Sequence, residues 1–581
     1  MAMGPLGLTW SSNTYGPGGP WNAIRLSVGT PAQTIDLIPG GSWESPVLGS
    51  TICSSSSSGS YQCLADPTKL YDSSLSSTDV EIDGTGSISN SSFAVSIGAL
   101  SFITGSAKYV FDTATFLFTD GNTRTIPNFD MLVISEGHSA LPNEVQYPLE
   151  VGYLSLGARD ANQSWVHGSD QFQGRMLSSY FWEAGVTPSY SYGMHIGSPT
   201  IGLSGSLYIG GYDQSRVVGP VSYQPPGQNW LPIDLLDIGI GVAVGESPFN
   251  FTSKTNLLVE NDTGITRPLS VTIEPRDPHM HLPQSTCDAI TEHLPVVFSS
   301  DLGLYLWDTN SPLYTRITTS PAVLSFTFRL SLSVTSNVTI SVPFPLLALT
   351  LKPPLAPLAT GLKYFPCTPL PMGATTPNGA PSAILGRAFL QAAFMGVNWS
   401  DESGATWFLA QAPGPNTPGT ATVEGISSEK TTIIPSQNEW IRTWDGGWGA
   451  LAKDGTTASV SISRSVPTMT ESAASKAEAP FTSKLSNTVK IGVGIGVGVL
   501  ALAIIAAFIL WRKQRVKRTQ PMDQPIQANN EDFETYNNNE ITYGGFMPQE
   551  LEVKYHVVQD QSIKPQELDS RGSTGRIAEL G

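Results

Sequence analysis

Side chains able to do chemistry cluster in few places along these 581 residues. Asp277-Pro278-His279-Met280-His281 carries two of the seven histidines, with Glu274 three residues before the Asp. Residues two apart on a strand share a face, so both imidazoles with a carboxylate would suit a divalent metal. No second group of ligands is visible in the sequence, and the expectation is exposed turn histidines with no metal and no other cofactor. Gly137-His138-Ser139-Ala140-Leu141 begins like the nucleophile elbow of a serine hydrolase. It lacks the second glycine and stands among strand-like runs, which excludes that chemistry. The four cysteines, Cys53, Cys63, Cys287 and Cys367, are an even set that implies two disulfides in an oxidising compartment, with three pairings open.

The elements that would position these groups are strands. The chain is 40% hydrophobic and only 14% charged, with 56 Gly and 44 Pro. Strand-like runs such as AIRLSVGT, GSLYIGGY, VLSFTFRLSLSV and NVTISVPF alternate with turn clusters, and no long amphipathic helix is present. An all-β protein of two to four lobes follows. The net charge of -17 would repel phosphate backbones, which excludes nucleic acid as a partner.

Ile491 to Trp511 contains no charge and is long enough to cross a hydrocarbon core about 30 Å thick as a helix. Arg512, Lys513, Arg515, Lys517 and Arg518 follow it, placing the C-terminal tail in the cytoplasm and residues 1–490 outside or in a lumen, a single-pass type I arrangement with membrane lipid as partner. Small residues at Gly492, Gly494, Gly496 and Gly498 would allow two such helices to pack. N-glycosylation sequons stand at Asn90, Asn162, Asn250, Asn261, Asn337 and Asn398, all before the span. The first residues show no basic or apolar signal-peptide region, so a signal peptide is expected upstream of this start and residues 1–20 are taken as an extension. Residues 411–490 are rich in Pro, Ser and Thr and are expected to form a solvated stalk. Residues 512–581 are expected to be a disordered tail, in which Tyr543-Gly-Gly-Phe546 and Tyr555-His-Val-Val558 have the form of short sorting signals.

Three phrases recur in a known order: Val28-Gly29-Thr30-Pro31-Ala32-Gln33, then Gly205-Ser206-Leu207-Tyr208-Ile209-Gly210-Gly211-Tyr212-Asp213, then Ala383-Ile384-Leu385-Gly386-Arg387-Ala388-Phe389. Together they resemble the pepsin-like aspartic peptidases, particularly membrane-anchored fungal members, over residues 21–410. The resemblance implies a bilobal double β-barrel, with lobes of about 21–220 and 221–410 and a cleft able to hold an extended peptide. It also agrees with pairing Cys53 to Cys63 and Cys287 to Cys367, one disulfide in each lobe.

In that family each lobe supplies one Asp from an Asp-Thr/Ser-Gly turn, and the two carboxyls share a proton and activate water. Counting from Gln33 places the first of these positions at Gly40, in Leu37-Ile38-Pro39-Gly40-Gly41-Ser42-Trp43. Matching glycine to glycine gives Ile38 instead, and neither is an acid. Counting back from Leu282-Pro283-Gln284-Ser285-Thr286-Cys287 places the second at Glu274, followed by Pro275 and Arg276. The longer arm and the adjacent guanidinium both act against a proton-sharing pair. No tyrosine stands clearly in the substrate-covering hairpin near Ser101–Ser106, and Tyr153-Leu154-Ser155 replaces two apolar residues and a Gly. The expectation is therefore a membrane glycoprotein whose ectodomain lacks the catalytic pair and binds or displays without cutting. The competing expectation is an acid endopeptidase using Glu274 with another acid such as Asp36, and a third is a structural wall or adhesion component.

Overall fold

The computed structural model describes residues 3–451 and 457–458, apart from 42, 54–62, 82–90, 98–100, 144, 168–169, 228–229, 260–267, 357–360, 371–382, 401–404 and 418, with side chains of 91–105, 165–172 and 457–458 also outside the description. Asn90, Asn261, residues 491–511 expected to span a membrane, and residues 512–581 lie outside the described residues. Among those described, no helix is long and apolar enough to cross a membrane.

Alternation of apolar and polar residues sets the strands. Trp21–Val28 buries Ala23, Leu26 and Val28 and turns Arg25 outward; it pairs antiparallel with Gln33–Pro39, Arg25 opposite Asp36. This hairpin joins the long pair Ser101–Leu117 and Thr123–Ala140 in a twelve-stranded sheet that occupies the first lobe. The second lobe is an eight-stranded sheet built on Leu231–Val242, Leu269–Ile273, Ala322–Ser331 and Val334–Pro343. A four-stranded sheet containing Leu304–Trp307 and Leu362–Phe365 lies beside it. The described helices are short: Leu177–Glu183, Gln284–Thr291, Pro312–Thr319 and Arg387–Leu390.

A six-stranded sheet belongs to both halves of the sequence. Its order is Leu6–Gly7, Ser206–Ile209, Ser191–His195, Ala393–Asn398, Thr406–Gln411 and Val218–Gln224. The lobes are therefore not split simply at 220/221, because 393–411 returns to pair with 191–195. Residues 3–20 are no loose extension either. Leu6 and Leu8 are buried, and Leu6–Gly7 supplies an edge strand.

Residues 411–451 also depart from the expected stalk. Val423–Gly425 pairs with Gly211–Asp213, and Ile426, Ile433 and Trp444 are buried. Ile426 and Ile433 complete a satellite core with Tyr212, Phe394 and Phe408. Their apolar residues are spaced too irregularly to show a helix or strand period, so composition dominated the sequence expectation.

The two disulfides are Cys53–Cys63 and Cys287–Cys367, the second joining helix Gln284–Thr291 to strand Cys367–Leu370.

Candidate functional site at the lobe junction

The same local construction occurs once in each lobe. In the first, Gln33–Pro39 runs parallel to Gly152–Leu154, with Pro39 opposite Leu154, and the next amide, Gly40 N, donates to Leu154 O at 2.9 Å. In the second, Leu269–Ile273 runs parallel to Ala383–Leu385, with Ile273 opposite Leu385, and the next amide, Glu274 N, donates to Leu385 O at 3.2 Å. Gly40 and Glu274 are thus equivalent by backbone register. The turns they begin meet between the lobes: a Cβ built on Gly40 would lie 2.7 Å from Pro275 Cβ, and one on Gly41 would lie 3.0 Å from Arg276 Cδ. Ile38, the other position counted for the first acid, is a buried strand residue.

At this junction the described groups do not form a matched acid pair. Gly40 supplies no side chain, and its φ of +148° is a conformation that glycine accepts readily. Glu274 is clamped by Arg276: Nε donates to Oε1 and Nη2 to Oε2, each at 3.0 Å, while the Arg276 amide also donates to Oε1 at 3.0 Å. Burial opposes the Arg276 charge, but Glu274 more than offsets it and the guanidinium is held more firmly protonated than usual. A second acid reaches this cation, Glu44, on the first-lobe turn. Burial raises its carboxyl above the ordinary range, with Arg276 pulling partly back. Nothing in the sequence marked Glu44, since its role arises from where the turn delivers it.

Arg387 braces the second turn from below. Its Nη1 donates to the carbonyls of Pro275 at 2.9 Å and Arg276 at 2.7 Å, and its guanidinium lies 4.9 Å from the Trp21 ring centroid, crossing from one lobe to the other. Gly386 is needed beside it because a Cβ there would meet Asp277 O at 2.2 Å. The lobes are also tied at the margins of the junction. Tyr364 Oη donates to Gly18 O and Lys352 N to Pro17 O, each at 2.7 Å, while Gly303 packs against Pro142.

Asp36 stands apart from this centre. It accepts hydrogen bonds from Arg25 Nε at 2.9 Å, Tyr15 Oη at 2.6 Å and Ser11 Oγ at 2.8 Å. Although burial alone would raise its pKa, these donors lower it and commit the carboxylate to the strand face. It is therefore not a partner for Glu274. Gly137–Ser139 lies within a regular strand, Gly137 opposite Gly105, and forms no elbow.

The histidines expected at an exposed turn are instead buried, with His279 at 3% and His281 at 0% exposure. His281 Nε2 and Asp277 Oδ2 are 2.8 Å apart, and Asp277 Oδ1 accepts from His279 N at 2.8 Å. Burial lowers the His279 pKa to about 3, so the ring is neutral.

Asn250 and Asn337 are exposed. Asn162 Nδ2 donates to Glu183 Oε1 at 2.6 Å. Asn398 must be withdrawn as a glycan site. It is fully buried, and its Nδ2 donates to the carbonyls of Ser427, Ser428 and Lys430 at 3.0–3.1 Å, bonds made by the nitrogen a glycan would occupy.

No protein-family description matches this chain. No curated protein matches it either. Among solved structures, an aspartic proteinase from Irpex lacteus is similar over 70% of this chain and 97% of its own, with a TM-score of 0.42 and 16% identity.

Proposed function

We propose that this chain is a pepsin-like protein that has lost hydrolysis: a single-pass membrane glycoprotein whose ectodomain binds an extended peptide or another surface component without cutting it. The observation that carries this reading is the pairing of Gly40 with an Arg276-clamped Glu274 at the two register-equivalent turns. Acid–base hydrolysis by such a scaffold needs two carboxyls that share one proton across a water. Here one carboxyl is missing, and both oxygens of the other are taken up by the Arg276 guanidinium. Residues 491–511 would anchor the chain, with the folded part outside or in a lumen and the tail in the cytoplasm.

A purely structural surface role is the second reading. It is favoured by the ties of Tyr364 and Lys352 to Gly18 and Pro17, which hold the lobes together at one margin. Binding of extended peptides from an unfolded protein separates these two readings.

The test of lost hydrolysis is turnover of an unfolded protein substrate by the purified full chain from acid to neutral pH. No cleavage above background is expected. Cleavage that disappears in Glu274→Ala would overturn the proposal and restore the endopeptidase reading.

A further inference from the structure

We infer that Asp277, His279 and His281 form a buried binding site for a zinc-class divalent metal ion. Their candidate ligand atoms all lie within 4.8 Å of one another, and all three residues are buried. The backbone presets the set: Asp277 Oδ1 holds the His279 amide, which fixes the turn that carries His279 and leads into the strand Met280–Pro283 that carries His281.

The hydrogen bonds around His281 can be rearranged to admit a cation. Its Nδ1 meets the Thr368 hydroxyl, and that hydroxyl also reaches Met280 O at 3.3 Å. Without metal, Nε2–H donates to the Asp277 carboxylate across 2.8 Å. A cation takes the place of that proton, the ring then carries Nδ1–H toward Thr368, and Thr368, turning its own proton to Met280 O, becomes the outer partner that ligating histidines usually have. Metal bonds of about 2.0–2.2 Å require this pair to open by roughly half an ångström.

His279 supplies the independent observation. Neither ring nitrogen has a hydrogen-bond partner among the described residues, although the residue is only 3% exposed. A buried imidazole left without a partner carries its full desolvation penalty, whereas a metal satisfies it. Two nitrogens and one carboxylate oxygen suit zinc or a neighbouring transition metal, not calcium or magnesium, which take mainly oxygen. The Arg387 charge reaches His279 unfavourably, but its guanidinium is directed to the carbonyls of Pro275 and Arg276. The site lies at the end of the Glu274–Asp277 turn and holds whether or not the junction hydrolyses peptides.

The test uses the full chain made without an oligohistidine tag, supplied with zinc and then dialysed. About one zinc per chain is expected, falling at least fivefold in His279→Ala and unchanged in His138→Ala. Chelation should lower Tm by about 4 °C or more, and zinc should restore it. Wild-type chain holding less than a tenth of an equivalent, with Tm indifferent to zinc and chelator, overturns the site. So does full zinc retention in folded Asp277→Asn/His279→Ala. Should those variants fail to fold, cobalt-loaded wild type decides: visible absorption of nitrogen-ligated cobalt supports the site, and its absence rejects it.

Discussion

Gly40 carries more of the junction's character than any charged group there. Its positive φ and the nearness of Pro275 mean that an acid cannot simply be written back at this position. Gly40→Asp is expected to give no peptidase activity and to lower stability by about 1–3 kcal/mol through backbone strain and collision with Pro275. Urea unfolding and a turnover assay at acid pH check this together. A fully stable Gly40→Asp chain that cleaves substrate would show that the turn accepts an acid and that its absence alone explains silence. The positions of Gly40 and Glu274 were legible because each follows a short apolar strand at fixed distance from a marked phrase. Glu44 and the bracing role of Arg387 were not, since each depends on contacts between segments more than 100 residues apart.

At the scale of elements, the sequence conveyed strands well and the ends of the folded unit poorly. Alternation in Trp21–Val28 and along Ala322–Ser331 is a local, two-residue signal. The segment after Gln411 sends no such signal, because Ile426, Ile433 and Trp444 are buried singly by contacts with distant strands. Composition made it resemble a stalk, whereas tertiary packing makes it structural. A chain ending at Gln411 should therefore be less stable than one ending at Ala458, by several kcal/mol, and unfold at a lower temperature, since it uncovers Tyr212, Phe394 and Phe408. Calorimetry of the two proteins tests this. Equal transitions would mean that residues 412–458 merely lie on a core that is complete without them.

For the whole molecule, the shared six-stranded sheet links stability to pH through His195. This residue is buried on strand Ser191–His195, with Nε2 2.9 Å from Gln391 O. Burial, helped by the Arg216 charge and only partly opposed by Gln391, lowers its pKa to about 3. A base whose folded pKa is depressed contributes stability that is present above its unfolded value, about 6.5, and is lost as pH falls toward the folded value. The expected loss is about 1.4 kcal/mol per pH unit within that window. Glu44 and Glu150, raised by burial, act in the opposite sense, so the absolute pH curve mixes several groups. Comparison with His195→Gln isolates the imidazole: the variant's unfolding free energy should fall less steeply between pH 6 and 4, by close to one proton. Parallel slopes would mean that the ring is already protonated in the fold or that the sheet opens before it titrates.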